Sequence, residues 1–306
     1  MARNYIEHVF NLRDDYEGEV VATLIIKKNE LPSKKAILYV HGFVDYFFQD
    51  ELADWANKIG FNFYALDLRK HGRSLLPYQS PNHFRNHTEF FEEIDLAVDY
   101  IKNFDKNEKL VLLGHSTGGL IVPLYLNHCD KNLVDALILN SPFFDFPVNE
   151  IIKIVLPAIG FFGKIAPETK TPAKIADGYA KSVHKDYKGE WDFDLKLKPI
   201  EGFPITLGWI RGIMLAQNEI KKGLNIQCPV LVMHSSKSVK PGKYNPSMQE
   251  ADSILNIQDI IKYSGKLGKN VKRVEIENGM HDLILSKKET REKVYWEMEE
   301  FIQRSV

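Results

Sequence analysis

Short apolar runs, each stopped by a glycine or a charged residue, recur along the chain from residue 36 onward: 36–40, 61–66, 110–113, 136–139 and 230–233. Runs of four to six apolar residues suit strands buried on both faces. Residues 271–276 instead alternate apolar and charged positions, as a strand nearer the sheet edge does. Between the runs lie helical patterns. Phe90, Ile94, Ala97, Val98 and Ile101 recur at steps of three and four, predicting an amphipathic helix with Thr88 as N-cap and an incomplete capping box. A last helix is predicted over about 287–301, with Val294, Met298 and Phe301 on one side. Ahead of all this, 5–12 and 19–26 read as two strands joined by Asp14-Asp15-Tyr16-Glu17-Gly18, a hairpin. Alternating strand and helix argues for a mostly parallel sheet with helices on both faces.

One stretch breaks the rhythm. From about 142 to 227 the alternation stops and Pro and Gly become frequent (Pro142, Pro147, Pro157, Gly160, Gly163, Pro167, Pro172). It lies between two predicted strands, so it reads as an inserted helical cap, with residues 1–141 and 228–306 forming one α/β core. Its densest apolar run, 151–162, is broken by Lys153, Pro157 and Gly160. That run reads first as a buried cap helix, with a lipid-facing lid as the alternative. No window reaches the roughly 18 uninterrupted apolar residues of a membrane span, and the first residues lack an apolar signal core; the expected location is cytoplasmic. Lys plus Arg number 40 and Asp plus Glu 41, a net charge of −1, which leaves no basic footprint for nucleic acid. The two cysteines, Cys129 and Cys228, cannot form a disulfide framework and read as buried free thiols.

The chemistry begins at Gly114-His115-Ser116-Thr117-Gly118, a G-x-S-x-G pattern between a buried strand and a helix over 120–127. At such a strand-to-helix turn the serine hydroxyl stands above the sheet, beside the positive end of the helix. A serine needs a base. Of ten histidines, His41, His71 and His115 lie in turns of the sheet, and His83 and His87 have a metal-pair spacing without the glutamate a zinc protease requires, so no metal is expected. His281 follows the last strand in a loop at its C-terminal end, level with Ser116, and is the expected base. The third member is an acid following the strand at 230–233, in the order Ser, acid, His. No acid occurs in His234-Ser235-Ser236-Lys237-Ser238-Val239; Asp252 is preferred, with Asp259 and Glu250 as alternatives, while Asp282 would point away from its neighbour. Two backbone N–H groups are needed for the oxyanion. Thr117, after the nucleophile, and Phe43, after His41-Gly42, are the candidates. Tyr46, Phe47, His115 and Phe143 are the expected substrate pocket, apolar enough to hold an acyl chain.

These residues, together with Asp67-Leu68-Arg69-Lys70-His71-Gly72-Arg73-Ser74, resemble the α/β-hydrolase superfamily, and within it the monoglyceride lipase, lysophospholipase and serine aminopeptidase group. The resemblance covers roughly 20–303 and implies an eight-stranded sheet and an ester-hydrolysing triad with no cofactor. Two departures stand out. An insertion, 237–249, displaces the acid from the end of its strand, and aromatics replace the second glycine of the oxyanion loop. The expected function is a serine carboxylesterase or lipase-like enzyme acting on a small-molecule ester. A serine aminopeptidase is the runner-up, and would need cap carboxylates such as Glu168, Asp192, Glu201 or Glu219 to grip an ammonium group. A non-catalytic hydrolase fold used for binding is the third reading.

Overall fold

The computed structural model describes residues 5–129, 133–173 and 175–306. Eight strands, β1 (Ile6–Asn11), β2 (Val21–Lys27), β3 (Lys35–Val40), β4 (Asn62–Asp67), β5 (Lys109–His115), β6 (Ala136–Asn140), β7 (Val230–Ser235) and β8 (Val271–Ile276), form one sheet. Their order is β1-β2-β4-β3-β5-β6-β7-β8. Only β2 runs against its neighbours, pairing antiparallel with β1 and β4; all pairs from β4 to β8 are parallel. This is the α/β-hydrolase fold.

Period-two alternation explains how the sheet divides its side chains. From β3, Ala36, Leu38 and Val40 enter one core and Ile37 and Tyr39 the other. Helices α1 (Asp50–Lys58) and α8 (Lys288–Ser305) cover the second face, burying Leu52, Trp55, Val294 and Met298. Helices α2 (Phe91–Asp99), α3 (Thr117–His128), α6 (Leu207–Lys222) and α7 (Ile257–Ser264) cover the first. β8 lies at the sheet edge with most of its side chains partly exposed, in keeping with its alternating sequence.

The chain enters β3, winds one way to β4, then returns to add β5 on the other side of β3. Such a reversal opens a crevice beyond the C-terminal ends of the two strands, where ligands bind in open α/β sheets. The loop carrying Phe43 follows β3 and Ser116 follows β5, so both stand at this crevice.

Two sequence expectations are corrected here. The first concerns the cap on the segment leading into α2. Asn86, not Thr88, caps it: Asn86 Oδ1 accepts the Thr88 N–H at 3.2 Å, and the Glu89 carboxylate accepts the Asn86 N–H at 2.8 Å. The capping box is complete, and a short 3₁₀ turn (His87–Phe90) precedes α2. The second concerns 151–162. It lies in α4 (Glu150–Ile165), which among the described residues shares the segment between β6 and β7 with α5 (Gly178–Val183) and α6. This helix is not buried: Ile151 is 75% exposed, Ile154 77% and Phe161 62%. Its small face packs on α6, where a side chain at Gly163 would come within 2.4 Å of the Leu207 carbonyl oxygen, and nothing among the described residues covers the opposite face. The two cysteines are free and half-buried, with burial raising each thiol to about 11.

Candidate active site

Ser116 occupies the turn between β5 and α3 with φ +50°, a left-handed conformation that costs a non-glycine residue about 1–3 kcal/mol. Small neighbours make the turn feasible. A Cβ at Gly118 would sit 2.3 Å from the Val40 carbonyl oxygen and 2.5 Å from that of His41, so only glycine lets α3 start this close to β3. Ser116 N–H is held by the Asn140 carbonyl at 3.0 Å.

His281 lies in the loop after β8. Its Nε2 is 3.0 Å from Ser116 Oγ and its Nδ1 3.0 Å from Asp252 Oδ2. All three residues are buried. With Nδ1–H donating to the carboxylate, Nε2 is left to accept the serine proton. Asp252 reaches this position despite the insertion because the insertion has a closed neck. Ser238 and Asp252 form a parallel bridge; Val239 N–H donates to the Asp252 carbonyl at 2.8 Å, and Asp252 N–H to the Lys237 carbonyl at 3.0 Å. The excursion thus leaves the top of β7 and returns to it. The other carboxylate oxygen of Asp252 accepts two backbone N–H groups, from Ile254 at 2.8 Å and Leu255 at 2.7 Å. The alternatives lie elsewhere: Glu250 pairs with Lys287 at the surface, and Asp259 sits in the first turn of α7. Asp282 is engaged elsewhere: it accepts from Asn140 Nδ2 at 2.7 Å, and its other oxygen lies 3.9 Å from His115 Nε2.

Phe43 and Thr117 flank Ser116, and among the described residues neither backbone N–H has a hydrogen-bond partner. Both are therefore available to an oxyanion. Between Phe43 and Asp45 the chain passes through Val44 at φ +49°. A β-branched residue there is a genuine outlier, and Asn82 Oδ1 holds its N–H at 3.2 Å.

The chain as a whole resembles known proteins. Residues 32–287 match the family described as Serine aminopeptidase, S33. The chain belongs to this family. Solved structures of similar fold include a soluble variant of monoglyceride lipase from Saccharomyces cerevisiae, bound to a substrate analog (15% identity, 98% of this chain and 97% of that one, TM-score 0.68). Others are the monoacylglycerol lipase of Paleococcus ferrophilus (16%, 99% and 100%, 0.67) and Est1E from Butyrivibrio proteoclasticus with ferulic acid (21%, 94% and 96%, 0.60). A 74-residue stretch is 39% identical to protein phosphatase methylesterase 1 of Schizosaccharomyces pombe, covering 24% of this chain and 20% of that protein. The match thus spans about a fifth of that curated relative.

In this S33 family member a cavity of about 460 Å³ opens over Ser116 and His281. Apolar side chains in its wall include Phe143, Phe146 and Val148 and, from α4, Ile152, Leu156 and Ile159. Asp45, His115, Tyr179 and Lys198 supply polar groups to the wall. Two expected pocket residues, Tyr46 and Phe47, are absent from it. The Val44 turn sends them elsewhere: Tyr46 packs with Phe48 and Phe193, and Phe47 goes under the sheet against Tyr39 and Phe63. Asp45, Tyr179 and Lys198 were missed by sequence reasoning. Asp45 had a signal, a lone acid in an aromatic loop; Tyr179 and Lys198 had none.

His115 lies 4.9 Å ring to ring from His281. Burial lowers its imidazole below the ordinary value, against the pull of Asp282, so it stays neutral and does not oppose a cationic His281. Asp45, His115 and Asp282 bring ligand atoms within 4.8 Å of one another, but Asp45 is paired with Lys198 and Asp282 accepts from Asn140 and Gln49. Those carboxylates already have protein partners. His83 and His87 do not face a common point: His83 Nδ1 meets Thr206 Oγ1 at 2.7 Å, and His87 lies 3.4 Å from Glu219.

Proposed function

We propose that this chain is a serine carboxylic ester hydrolase that forms an acyl-enzyme on Ser116. The observation that carries the reading is the Ser116–His281–Asp252 hydrogen-bond chain opening into a largely apolar cavity. Ser116 Oγ attacks the ester carbonyl carbon as His281 Nε2 takes its proton. Asp252 stabilises the imidazolium, and the Phe43 and Thr117 N–H groups receive the oxyanion. Collapse expels the alcohol, which takes the proton from His281. Water, deprotonated by the same nitrogen, then releases the acid and regenerates the serine. No cofactor or metal enters these steps.

The apolar wall suits an acyl chain. Nitrophenyl esters from butyrate to octanoate are expected to show kcat/KM rising by up to about fourfold per added methylene until the cavity is filled. All should be turned over better than proline anilide. The reverse ranking would favour the aminopeptidase. The cap carboxylates that reading calls for are engaged elsewhere: Glu168 pairs with Arg85, Asp192 with Lys185 and Glu219 with His128, and none of these, nor Glu201, lines the cavity. Covalent labelling of the wild-type chain by a fluorophosphonate distinguishes either enzyme from a binding scaffold.

Helix α4 gives the reading a further element. One face walls the cavity while the other carries Ile151, Ile154 and Phe161 into solvent. We read residues 142–227 as a cap whose bare face rests on lipid, peripherally, since no helix among the described residues is long and apolar enough to cross a membrane. The variant I154E/F161E should lose co-sedimentation with phosphatidylcholine vesicles while keeping butyrate ester turnover. Equal vesicle binding by both proteins would remove the lipid contact.

A further inference from the structure

Lys198 comes from the segment between β6 and β7 and lines the cavity, with its ammonium 2.5 Å from Asp45 Oδ1. Both side chains are nearly fully buried, at 8% and 3% exposure. The ammonium also lies 4.9 Å from the Phe48 ring centre and 5.4 Å from that of Phe193. Together Lys198 and Asp45 form one of the least exposed ion pairs of the molecule. A buried pair of this kind is weak evidence for stability, because apolar residues of similar volume serve as well. What it does fix is geometry.

The geometry at stake is that of the oxyanion loop. Asp45 is two residues past Phe43, and the residue between them is Val44 at φ +49°. Left to itself, a valine relaxes to negative φ; the peptides on either side of it, which carry the Val44 and Asp45 N–H groups, then reorient, and the first of them is joined to Phe43, whose own N–H lies one residue upstream. Restraints on both sides oppose that rotation. Asn82, from the core, holds the Val44 N–H, and Lys198, from the cap, holds the Asp45 side chain. The same stretch of cap adds a second tie, with the Asp194 N–H donating to the Tyr46 hydroxyl at 2.7 Å.

We propose that Lys198 is a positioning residue for catalysis: through Asp45 it holds the strained Val44 turn and so keeps the Phe43 N–H aimed at the oxyanion. The cap then does more than wall the pocket, because it completes the catalytic floor. This inference rests on the ester hydrolase reading above.

The test uses D45N/K198M in the full chain, which removes both charges at once and leaves neither buried alone. Three quantities are read: kcat and KM for nitrophenyl butyrate, inhibition by an octyl trifluoromethyl ketone, and the thermal midpoint. The ketone forms a hemiketal on Ser116 whose oxygen needs the oxyanion donors. The expected result is a kcat lower by about 10- to 100-fold, less than the loss of a whole oxyanion donor. KM should change by less than about threefold, and the ketone should weaken by the same factor as kcat. Adding Val44→Gly should recover most of both losses, since glycine takes positive φ without strain. Should D45N/K198M not fold, Lys198→Gln, whose uncharged side chain ends one bond short of the ammonium and so loosens the tie to Asp45, is read by the same measurements, with a smaller loss in the same direction. Wild-type kcat and ketone inhibition in these variants would overturn the proposal. So would losses that Val44→Gly leaves unrestored and that track a fallen thermal midpoint, which mark a purely structural pair. A wild-type chain that neither labels with fluorophosphonate nor cleaves esters would instead overturn the hydrolase reading itself.

Discussion

Ser116→Ala is expected to reduce ester turnover by roughly 10⁶-fold, the scale seen when the nucleophile of a serine triad is removed. The loss should be this complete because, among the described residues, the hydroxyl hydrogen-bonded to His281 Nε2 is that of Ser116, at 3.0 Å. Folding should survive. Alanine shares the strain of serine at φ +50°, and the backbone tie to Asn140 does not involve the side chain. A thermal midpoint close to wild type with no fluorophosphonate label is the expected pair of readings. Labelling retained at another serine would mean that the nucleophile is wrongly assigned.

Asp252→Asn should lower kcat by about 10²–10⁴-fold with little change in stability. The surroundings of the carboxylate dictate how an amide would sit. Oδ1 accepts the Ile254 and Leu255 N–H groups, so the amide oxygen must take that side. Its NH₂ then faces His281 Nδ1, which can only accept. The ring is forced into the tautomer with the proton on Nε2, where it meets Ser116 as a donor and not as a base. Substitutions at the other acids act as controls. Glu250→Gln removes a surface pair with Lys287, and Asp259→Asn changes a residue outside the cavity; both should stay within about twofold of wild type. A nearly active Asp252→Asn beside a dead Asp259→Asn would reassign the acid.

Much of the fold and of the candidate site could be read along the chain, because those parts are written locally. A strand buried on both faces needs an unbroken apolar run, so β3 to β7 were visible as such. The turn at Ser116 needs glycines at fixed offsets, and the loop at His281 follows directly from its strand. What could not be read depends on contacts between distant residues or on one torsion. Tyr46 and Phe47 look like pocket residues until Val44 adopts positive φ and turns them away. Lys198 meets Asp45 across 153 positions, and nothing in the neighbourhood of Lys198 announces it. The apolar run in α4 carries the same composition whether its outer face is covered or bare. The cap on the first turn before α2 was missed because the Asn86-to-Glu89 box lies one short turn ahead of the periodic pattern.

The neck formed by Ser238 and Asp252 separates two tasks that usually constrain each other. Residues beyond the neck can be lengthened, shortened or exchanged while the bridge keeps the carboxylate registered on β7. The excursion is not idle, since Pro241 lines the cavity and the Gly242 carbonyl accepts the Gly178 N–H at the start of α5. It is therefore a module in which the shape of the binding space can drift, under mutation or by design, without retuning the machinery that breaks the bond.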